Sequence, residues 1–183
     1  FFIKYCFNIS FHVKTFQSIR IIKDFPKKGI AFYDISTILS NPKEFSKVVN
    51  KMAIEVRKLK ANTIVGIDSR GFIFASAVAY KLKMKLVMIR KKGKLPGKTH
   101  IISYNLEYGS NNLEIQKDMV SKIDKVAIID DIFATSGTMK ASIKLIKRSK
   151  AKFKGVIVLL ELDFLKGRSK FKEKLISLEN VSI

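Results

Sequence analysis

Two adjacent acids followed by a hydroxyl-rich segment are the strongest chemical signal in this sequence. Asp130 and Asp131 come directly after an apolar run, and most of the positions that follow are small or hydroxylated: Ala134, Thr135, Ser136, Gly137 and Thr138. Paired carboxylates at a strand end can accept hydrogen bonds from the vicinal hydroxyls of a sugar, and small residues let backbone N–H groups close around a phosphate. An ordinary capped turn between a strand and a helix is the plainer interpretation, but it rarely combines all of these features. The segment therefore predicts a binding site for a sugar phosphate.

Two arginines stand where phosphate oxygens could be bound. Most of the 36 basic residues are Lys, yet Arg70 and Arg90 both lie just beyond predicted strands, where a planar guanidinium can bind phosphate bidentately and Lys cannot. Lys91 and Lys94 belong to a segment with Gly and Pro, residues 91–99, that we expect to be mobile and to close over the ligand. For any single Lys in so basic a chain, a solvated loop is the competing interpretation.

Apolar strands and amphipathic helices alternate along the chain. Asn41 can cap a helix, Pro42 suits its first position and Glu44 stands at the capping-box position, so a helix is predicted from here to about Lys60. Further helices are predicted over 72–82 and around 139–146, and short apolar strands over 64–67, 86–89, 126–129 and 155–160. This alternation predicts an α/β fold with a mainly parallel sheet flanked by helices, whose ligands bind at the carboxyl ends of the strands.

Length and composition narrow the class of protein. A chain of 183 residues is typical of one domain, so residues 1–183 are predicted to form a single domain, with 1–18 as an N-terminal extension of uncertain status. No apolar run approaches the ~20 residues needed to span a bilayer. The single cysteine excludes an intramolecular disulfide and suits a reducing compartment, so we expect the cytoplasm.

The net charge of +21, taken alone, indicates a nucleic-acid or anionic-surface partner. The lysines are nevertheless scattered through every segment and are not gathered on one helix or tail. We therefore expect weak, salt-sensitive contact with nucleic acids, with no specific site for them and no membrane partner.

The acid pair and the segment after it resemble the signature of the type I phosphoribosyltransferases. Other stretches narrow the resemblance to the adenine branch of that family: residues 25–36 (FPKKGIAFYDIS), 68–72 (DSRGF), 90–97 (RKKGKLPG) and, within 103–118, SYNLEYG and LEIQKD. The resemblance implies a type I fold with a small N-terminal hood and a hairpin or flexible loop. It also implies an enzyme of purine salvage that transfers the phosphoribosyl group of phosphoribosyl pyrophosphate to adenine, forming AMP and pyrophosphate.

The resemblance implies a role for each matched residue. Asp130 and Asp131 would bind the ribose; Ala134, Thr135, Ser136, Gly137 and Thr138 the phosphate; Arg70, Arg90, Lys91 and Lys94 the pyrophosphate; and Ala31, Phe32 and Tyr33 the adenine. Glu107 would be the catalytic acid or base, because purine N9 changes protonation when the glycosidic bond forms. A surface glutamate is the plainer alternative. Mg²⁺ would be held mainly by substrate oxygens with no direct protein ligand, and the family is usually a homodimer.

Two positions depart from the family pattern. Tyr33 stands where Arg is frequent, which leaves a base contact by its side chain open, and Ser136 stands where Gly is commoner, a change that we expect the loop to tolerate. Two alternative functions also remain. One is a transcriptional regulator that senses phosphoribosyl pyrophosphate, against which the sequence shows no added DNA-binding helical module. The other is an enzyme for a different purine.

Overall fold

The computed structural model describes residues 19–105 and 110–182. The extension over 1–18 and the catalytic candidate Glu107 lie outside these residues. The helices are α1 (Ser36–Leu39), α2 (Pro42–Lys58), α3 (Gly71–Leu82) and α4 (Gly137–Arg148). The strands are β1 (Arg20–Lys23), β2 (Ala31–Asp34), β3 (Thr63–Ile67), β4 (Lys85–Lys91), β5 (Thr99–Asn105), β6 (Ser110–Gln116), β7 (Lys125–Phe133), β8 (Lys152–Leu162) and β9 (Leu175–Val181).

Seven strands of the described residues form one sheet, in the order β5-β6-β4-β3-β7-β8-β9. Strands β4, β3, β7, β8 and β9 run parallel to one another. Strand β6 pairs antiparallel with β4 on one side and with β5, its hairpin partner, on the other. The predicted α/β fold with a mainly parallel sheet is confirmed.

Local signals account for α2. The side-chain oxygen of Asn41 accepts hydrogen bonds from the backbone N–H groups of Lys43 and Glu44 at 3.1 and 3.2 Å, and Pro42 opens the helix. The helix ends at Lys58, two residues before the predicted end, and it buries an apolar stripe against the sheet and α3. Capping and helical periodicity are both local properties, which is why the sequence predicts this element well.

Both faces of the central strands are covered. Every residue of β3 is buried, and its side chains alternate between two apolar clusters, one shared with α2 and α3 and the other with α4. Gly66 allows α3 to approach β3 closely, since a Cβ at this position would lie 2.8 Å from the Cβ of Ala75. Burial on both faces explains the continuous apolar runs in the sequence.

The predicted N-terminal hood is a separate two-stranded antiparallel sheet of β1 and β2. The Nε of Arg20 donates to the carboxylate of Asp34 at 3.0 Å, and the N–H of Ser36 donates to the same carboxylate at 2.9 Å. Hydrogen bonds from Ser36 and Arg20 lower the pKa of Asp34 to about 2. This ionised carboxylate therefore ties β1 to the end of β2.

Three features lie beyond the sequence-based prediction. No strand was predicted after residue 160, yet β9 pairs in parallel with β8, and β4 and β7 both extend further than their apolar runs. The residues added to β7 include the acid pair, which was not predicted to lie in a strand because two charged residues do not fit an apolar run.

No helix of the described residues has the length and apolar character needed to cross a membrane.

Candidate functional site

Three neighbouring parallel strands end at the same edge of the sheet. Ile67 at the end of β3 pairs with Ile89 of β4, and Gly66 pairs with Ile129 of β7. Asp68, Arg90 and Asp130 follow these positions directly in the sequence. The parallel register therefore brings together the acid pair and both arginines, as expected for a site at the carboxyl ends of the strands.

The acid pair is almost fully buried, with 7% of Asp130 and 5% of Asp131 exposed. Oδ1 of Asp130 accepts a hydrogen bond from the backbone N–H of Asp131 at 2.9 Å. Burial and the negative charge of Asp131 raise the pKa of Asp130 well above its usual range. Gly71, at the start of α3, makes room for this carboxyl group, because a Cβ there would lie 2.6 Å from Asp130 Oδ1.

Arg70 joins the acid pair to the hood. Its Nε lies 2.8 Å from Oδ2 of Asp131, its Nη1 donates to the carbonyl of Tyr33 at 3.2 Å, and its guanidinium carbon lies 5.3 Å from the centroid of the Phe32 ring. The contact with Asp131 has the distance of an ion pair but not the angles of a hydrogen bond, and Asp131 Oδ2 has no hydrogen-bond partner among the described residues. Such a buried carboxylate oxygen is well suited to accept a ligand hydroxyl.

Arg90 is held from two sides. Its Nε donates to the carboxylate of Asp68 at 3.0 Å and its Nη1 donates to the carbonyl of Lys94 at 3.1 Å, while the ring of Phe72 lies 5.9 Å from the guanidinium carbon. The side chains of Arg70 and Arg90 keep 28% and 32% of their surface exposed. Both arginines are thus oriented by the protein and remain accessible to an anion.

The predicted phosphate segment joins β7 to α4. Ala134, Ser136 and Thr138 are buried, Thr135 is exposed, and α4 begins at Gly137. Twelve helical residues place a positive helix end and free N–H groups beside the segment, as anion binding requires. Ser136 has φ = 66°, in the left-handed region that favours glycine. Serine at this position therefore holds a strained backbone that glycine would adopt without penalty.

The segment after β8 packs against the phosphate segment. A Cβ on Gly167 would lie 1.8 Å from the carbonyl oxygen of Ala134, so only glycine permits this approach. Arg168, the next residue, donates through Nε to the buried carboxylate of Glu161 at 2.7 Å and through its Nη2 to the second oxygen of that carboxylate. Glu161 in turn raises the pKa of Arg168. This ion pair fixes the chain that supports the phosphate segment.

The three predicted adenine-binding residues form most of β2. Ala31 and Tyr33 are buried and Phe32 is half-buried. Burial raises the pKa of Tyr33 to about 12, and its hydroxyl has no hydrogen-bond partner among the described residues. The Tyr33 side chain belongs to the apolar core, so it is Phe32 and the backbone of β2 that lie beside Arg70.

The turn between β4 and β5 is fixed by hydrogen bonds, although residues 91–99 were expected to be mobile. The backbone N–H groups of Lys94 and Leu95 each donate to the Glu114 carboxylate at 2.8 Å, and the Gln116 side chain donates to the carbonyl of Pro96 at 3.1 Å. Lys91 and Lys94 are exposed at this turn. The turn therefore presents these lysines from a backbone attached to β6.

Glu107 lies in the connection between β5 and β6, residues 106–109, outside the described residues. The hairpin that carries it does contact the phosphate segment, because the hydroxyl of Tyr104 on β5 lies 3.4 Å from Oγ1 of Thr138. The two strands pair from Thr99 with Gln116 to Asn105 with Ser110. The two strands of this hairpin therefore reach the site at two points, Tyr104 beside Thr138 and Glu114 opposite Arg90.

Comparison with known proteins agrees with this arrangement. The phosphoribosyl transferase domain family matches residues 34–175. An adenine phosphoribosyltransferase from Mycoplasma mobile is 52% identical over 160 residues, which cover 87% of this chain and 92% of that protein. The chain belongs to the adenine phosphoribosyltransferase family.

Solved structures of this family superpose closely on the chain. The adenine phosphoribosyltransferase of Thermoanaerobacter pseudethanolicus is 42% identical with a TM-score of 0.85, covering 89% of this chain and 95% of its own. The enzyme of Saccharomyces cerevisiae, solved with adenine and an imino-altritol bisphosphate, is 37% identical with a TM-score of 0.84, covering 88% and 94%. The predicted type I fold is therefore confirmed.

Two residues that support the site of this adenine phosphoribosyltransferase family member, Asp68 and Glu114, were not predicted from the sequence. Asp68 has no predicted role of its own, yet its carboxylate orients Arg90. Glu114 stands between two apolar residues of β6 and is only 3% exposed. Nothing in an alternating strand reveals that an acid faces inward, because its partners are backbone N–H groups of a turn that only the folded chain brings near.

Proposed function

We propose that this chain transfers the phosphoribosyl group of phosphoribosyl pyrophosphate to adenine, forming AMP and pyrophosphate. The single observation that carries the proposal is the buried acid pair near the carboxyl end of β7. It lies beside Arg70 and is followed by the start of α4, which is suited to bind a phosphate. The family relationship supports it, and the Saccharomyces cerevisiae relative was solved with adenine. Purine salvage is the process that such a reaction serves.

The acid pair and the phosphate segment would hold the ribose phosphate. Asp131 Oδ2, buried and without a hydrogen-bond partner among the described residues, would accept a ribose hydroxyl, and Asp130 would accept a second one. The 5-phosphate would lie against the residues around the start of α4, where backbone N–H groups and the helix dipole favour an anion. This set comprises Ala134, Thr135, Ser136, Gly137 and Thr138.

Pyrophosphate, the leaving group, would lie between the two arginines. Arg70 and Arg90 are both partly exposed at neighbouring strand ends. Their guanidinium groups would stabilise the negative charge that develops as the bond between C1 and the pyrophosphate oxygen breaks. Lys91 and Lys94, exposed on the adjoining turn, would add positive charge at the outer side.

Adenine would be placed beside β2, against Phe32 and the backbone of Ala31 and Tyr33. N9 attacks C1 as pyrophosphate departs, and the proton on N9 must leave. We assign that proton transfer to Glu107, since a carboxylate near the ring is a suitable base. Positioning of both substrates and stabilisation of charge supply the rest of the rate enhancement.

We propose that Mg²⁺ binds together with phosphoribosyl pyrophosphate. The described residues contain no group of three or more His, Cys, Asp or Glu side chains suited to a metal ion. The carboxylates of Asp130 and Asp131 nevertheless fit an ion held mainly by ribose and pyrophosphate oxygens, because oxygen is the ligand that Mg²⁺ prefers. When bound, the ion neutralises charge on the leaving pyrophosphate.

We further propose a cytoplasmic homodimer. α3 is apolar on its outer side as well as its inner side, and it carries the exposed Ile73 and Tyr80, while β4, which contacts α3, carries the exposed Leu86 and Met88. These four residues are 38%, 89%, 40% and 41% exposed. A helix that is apolar all round is normally buried, so a second copy of the chain is the natural cover for this α3–β4 face. The single cysteine suits a reducing compartment.

One assay tests the proposed reaction. Purified protein is mixed with adenine, phosphoribosyl pyrophosphate and Mg²⁺, and AMP and pyrophosphate are quantified. Equal amounts of the two products are expected, and chelation of Mg²⁺ should abolish turnover. Protein that binds phosphoribosyl pyrophosphate without forming AMP would favour the regulator alternative.

A further inference from the structure

The buried carboxylate of Glu114 accepts three hydrogen bonds from residues at the turn between β4 and β5. Its Oε1 accepts hydrogen bonds from the backbone N–H groups of Lys94 and Leu95, both at 2.8 Å, and its Oε2 accepts from the hydroxyl of Thr99 at 3.2 Å. Only 3% of the residue is exposed. Hydrogen bonds to an ionised acceptor are among the stronger ones in proteins, so this carboxylate determines the position of the turn.

The turn between β4 and β5 also positions Arg90. Lys94, whose N–H is held by Glu114, presents its carbonyl oxygen to Nη1 of Arg90 at 3.1 Å. The other anchor of that guanidinium is the carboxylate of Asp68, 3.0 Å from Nε. Glu114 also stands opposite Arg90 in the antiparallel register of β6 and β4. Loss of the Glu114 carboxylate would free the Lys94 peptide and remove one of the two groups that orient Arg90.

We propose that Glu114 is a positioning residue for the pyrophosphate group, acting through the backbone of Lys94 on Arg90. The inference rests on the proposed function, in which Arg90 and Lys94 contact pyrophosphate. Glu114 does not touch the ribose phosphate segment or β2 through any of these bonds. Its effect should therefore be confined to ligands that carry pyrophosphate and be absent for AMP.

The test compares pyrophosphate and AMP in the same variants. Glu114→Ala is expected to raise the KM for pyrophosphate in the reverse reaction roughly 10- to 100-fold, because the backbone donors lose a charged acceptor. Its dissociation constant for AMP should stay at the parent value. Glu114→Gln retains an oxygen that can accept both N–H groups and should recover most of the pyrophosphate affinity. Glu114→Met replaces Glu114→Ala if the smaller side chain prevents folding.

Gln116→Ala is the matched control, since it removes a hydrogen bond to the same turn at Pro96 without involving Lys94 or Arg90. It should leave the KM for pyrophosphate unchanged. An unchanged KM in the Ala or Met variant, a parallel loss of AMP affinity, or a Gln variant as weak as the Ala variant overturns the proposal. Calorimetric titration with pyrophosphate and Mg²⁺ gives the same comparison without turnover, so a parent chain inactive on adenine would refute the proposed function and leave the role of Glu114 measurable.

Discussion

In the proposed mechanism the acid pair binds the ribose, whereas Glu107 acts on the adenine. Substituting Asp131→Ala removes a buried acceptor for a ribose hydroxyl, and binding of both phosphoribosyl pyrophosphate and AMP should weaken by roughly 1.5 to 3 kcal/mol. Glu107→Gln should leave that binding nearly intact but lower kcat by about 10² to 10⁴, because the amide cannot move a proton. Calorimetry with AMP and steady-state kinetics separate the two effects. Parent-like turnover in Glu107→Gln would remove this residue from the mechanism.

Asp130, which we propose binds the ribose, is a buried acid whose burial should destabilise the folded chain at neutral pH. Its folded-state pKa is raised by burial and by Asp131, so the folded chain retains a proton that the unfolded chain has lost. The free energy of unfolding should therefore fall as pH rises from the usual Asp range through the raised value.

Asp130→Asn should abolish that part of the pH dependence and make the fold more stable than the parent at pH 7, because the amide carries no charge to bury. Urea unfolding between pH 4 and 8 measures the difference, with the exposed Asp118→Asn as the control. A variant that is less stable than the parent at pH 7, or a stability difference that does not vary with pH, would contradict this account of the acid pair.

At the scale of elements, the start of α4 contains a local conflict. Ser136 adopts φ = 66°, and Ser136→Gly should relieve this strain and stabilise the fold by about 0.5 to 1 kcal/mol after the larger entropy loss of glycine is included. Ser142 lies inside α4, is fully buried and donates its hydroxyl to the carbonyl of Thr138 at 2.9 Å, so Ser142→Gly should destabilise the fold by about 1 kcal/mol or more. Thermal unfolding of the two variants tests this prediction. A lower melting temperature for Ser136→Gly than for the parent would contradict the strain at Ser136.

The α3–β4 face carries the prediction about assembly. Replacing Tyr80 and Leu86 together by Lys places two charges in the centre of this face and should convert the proposed dimer to a monomer, weakening dimerisation about 100-fold or more. Ile54→Lys is the matched control, because Ile54 is also an exposed apolar residue, 52% exposed, but lies on α2. Sedimentation velocity gives the oligomeric state. A parent chain that is already monomeric at micromolar concentration would contradict the proposal.

Elements with local signals were predictable, and contacts between distant segments were not. The cap of α2 and the apolar runs of β3 and β7 are properties of a few consecutive residues, so the fold class and the position of the acid pair followed from the sequence. β9, the inward orientation of Glu114 and the burial of Tyr33 depend on segments far apart in the chain. The role of Glu107 stays a prediction from the family resemblance, since no periodicity in the sequence indicates it.

At the scale of the whole molecule, net charge affects how strongly substrates are attracted, whereas the groups of the site determine which base reacts. The net charge of +21 should attract phosphate-bearing substrates, but salt screens that attraction and it carries no information about the base. Discrimination among bases must come from the short-range groups beside β2 and the hairpin. Base specificity is therefore the property that most directly separates the proposed transferase from the alternatives.

The decisive measurement is kcat/KM for adenine, hypoxanthine, guanine and uracil in turn, each with saturating phosphoribosyl pyrophosphate and Mg²⁺. Adenine is expected to exceed every other base by at least about 10³-fold, because a site built to hydrogen-bond one base edge strongly rejects an edge with different donors and acceptors. The preference should persist at 50 and 200 mM salt even if all rates fall together. Preference for hypoxanthine or guanine, or comparable rates with several bases, would contradict the assignment to adenine.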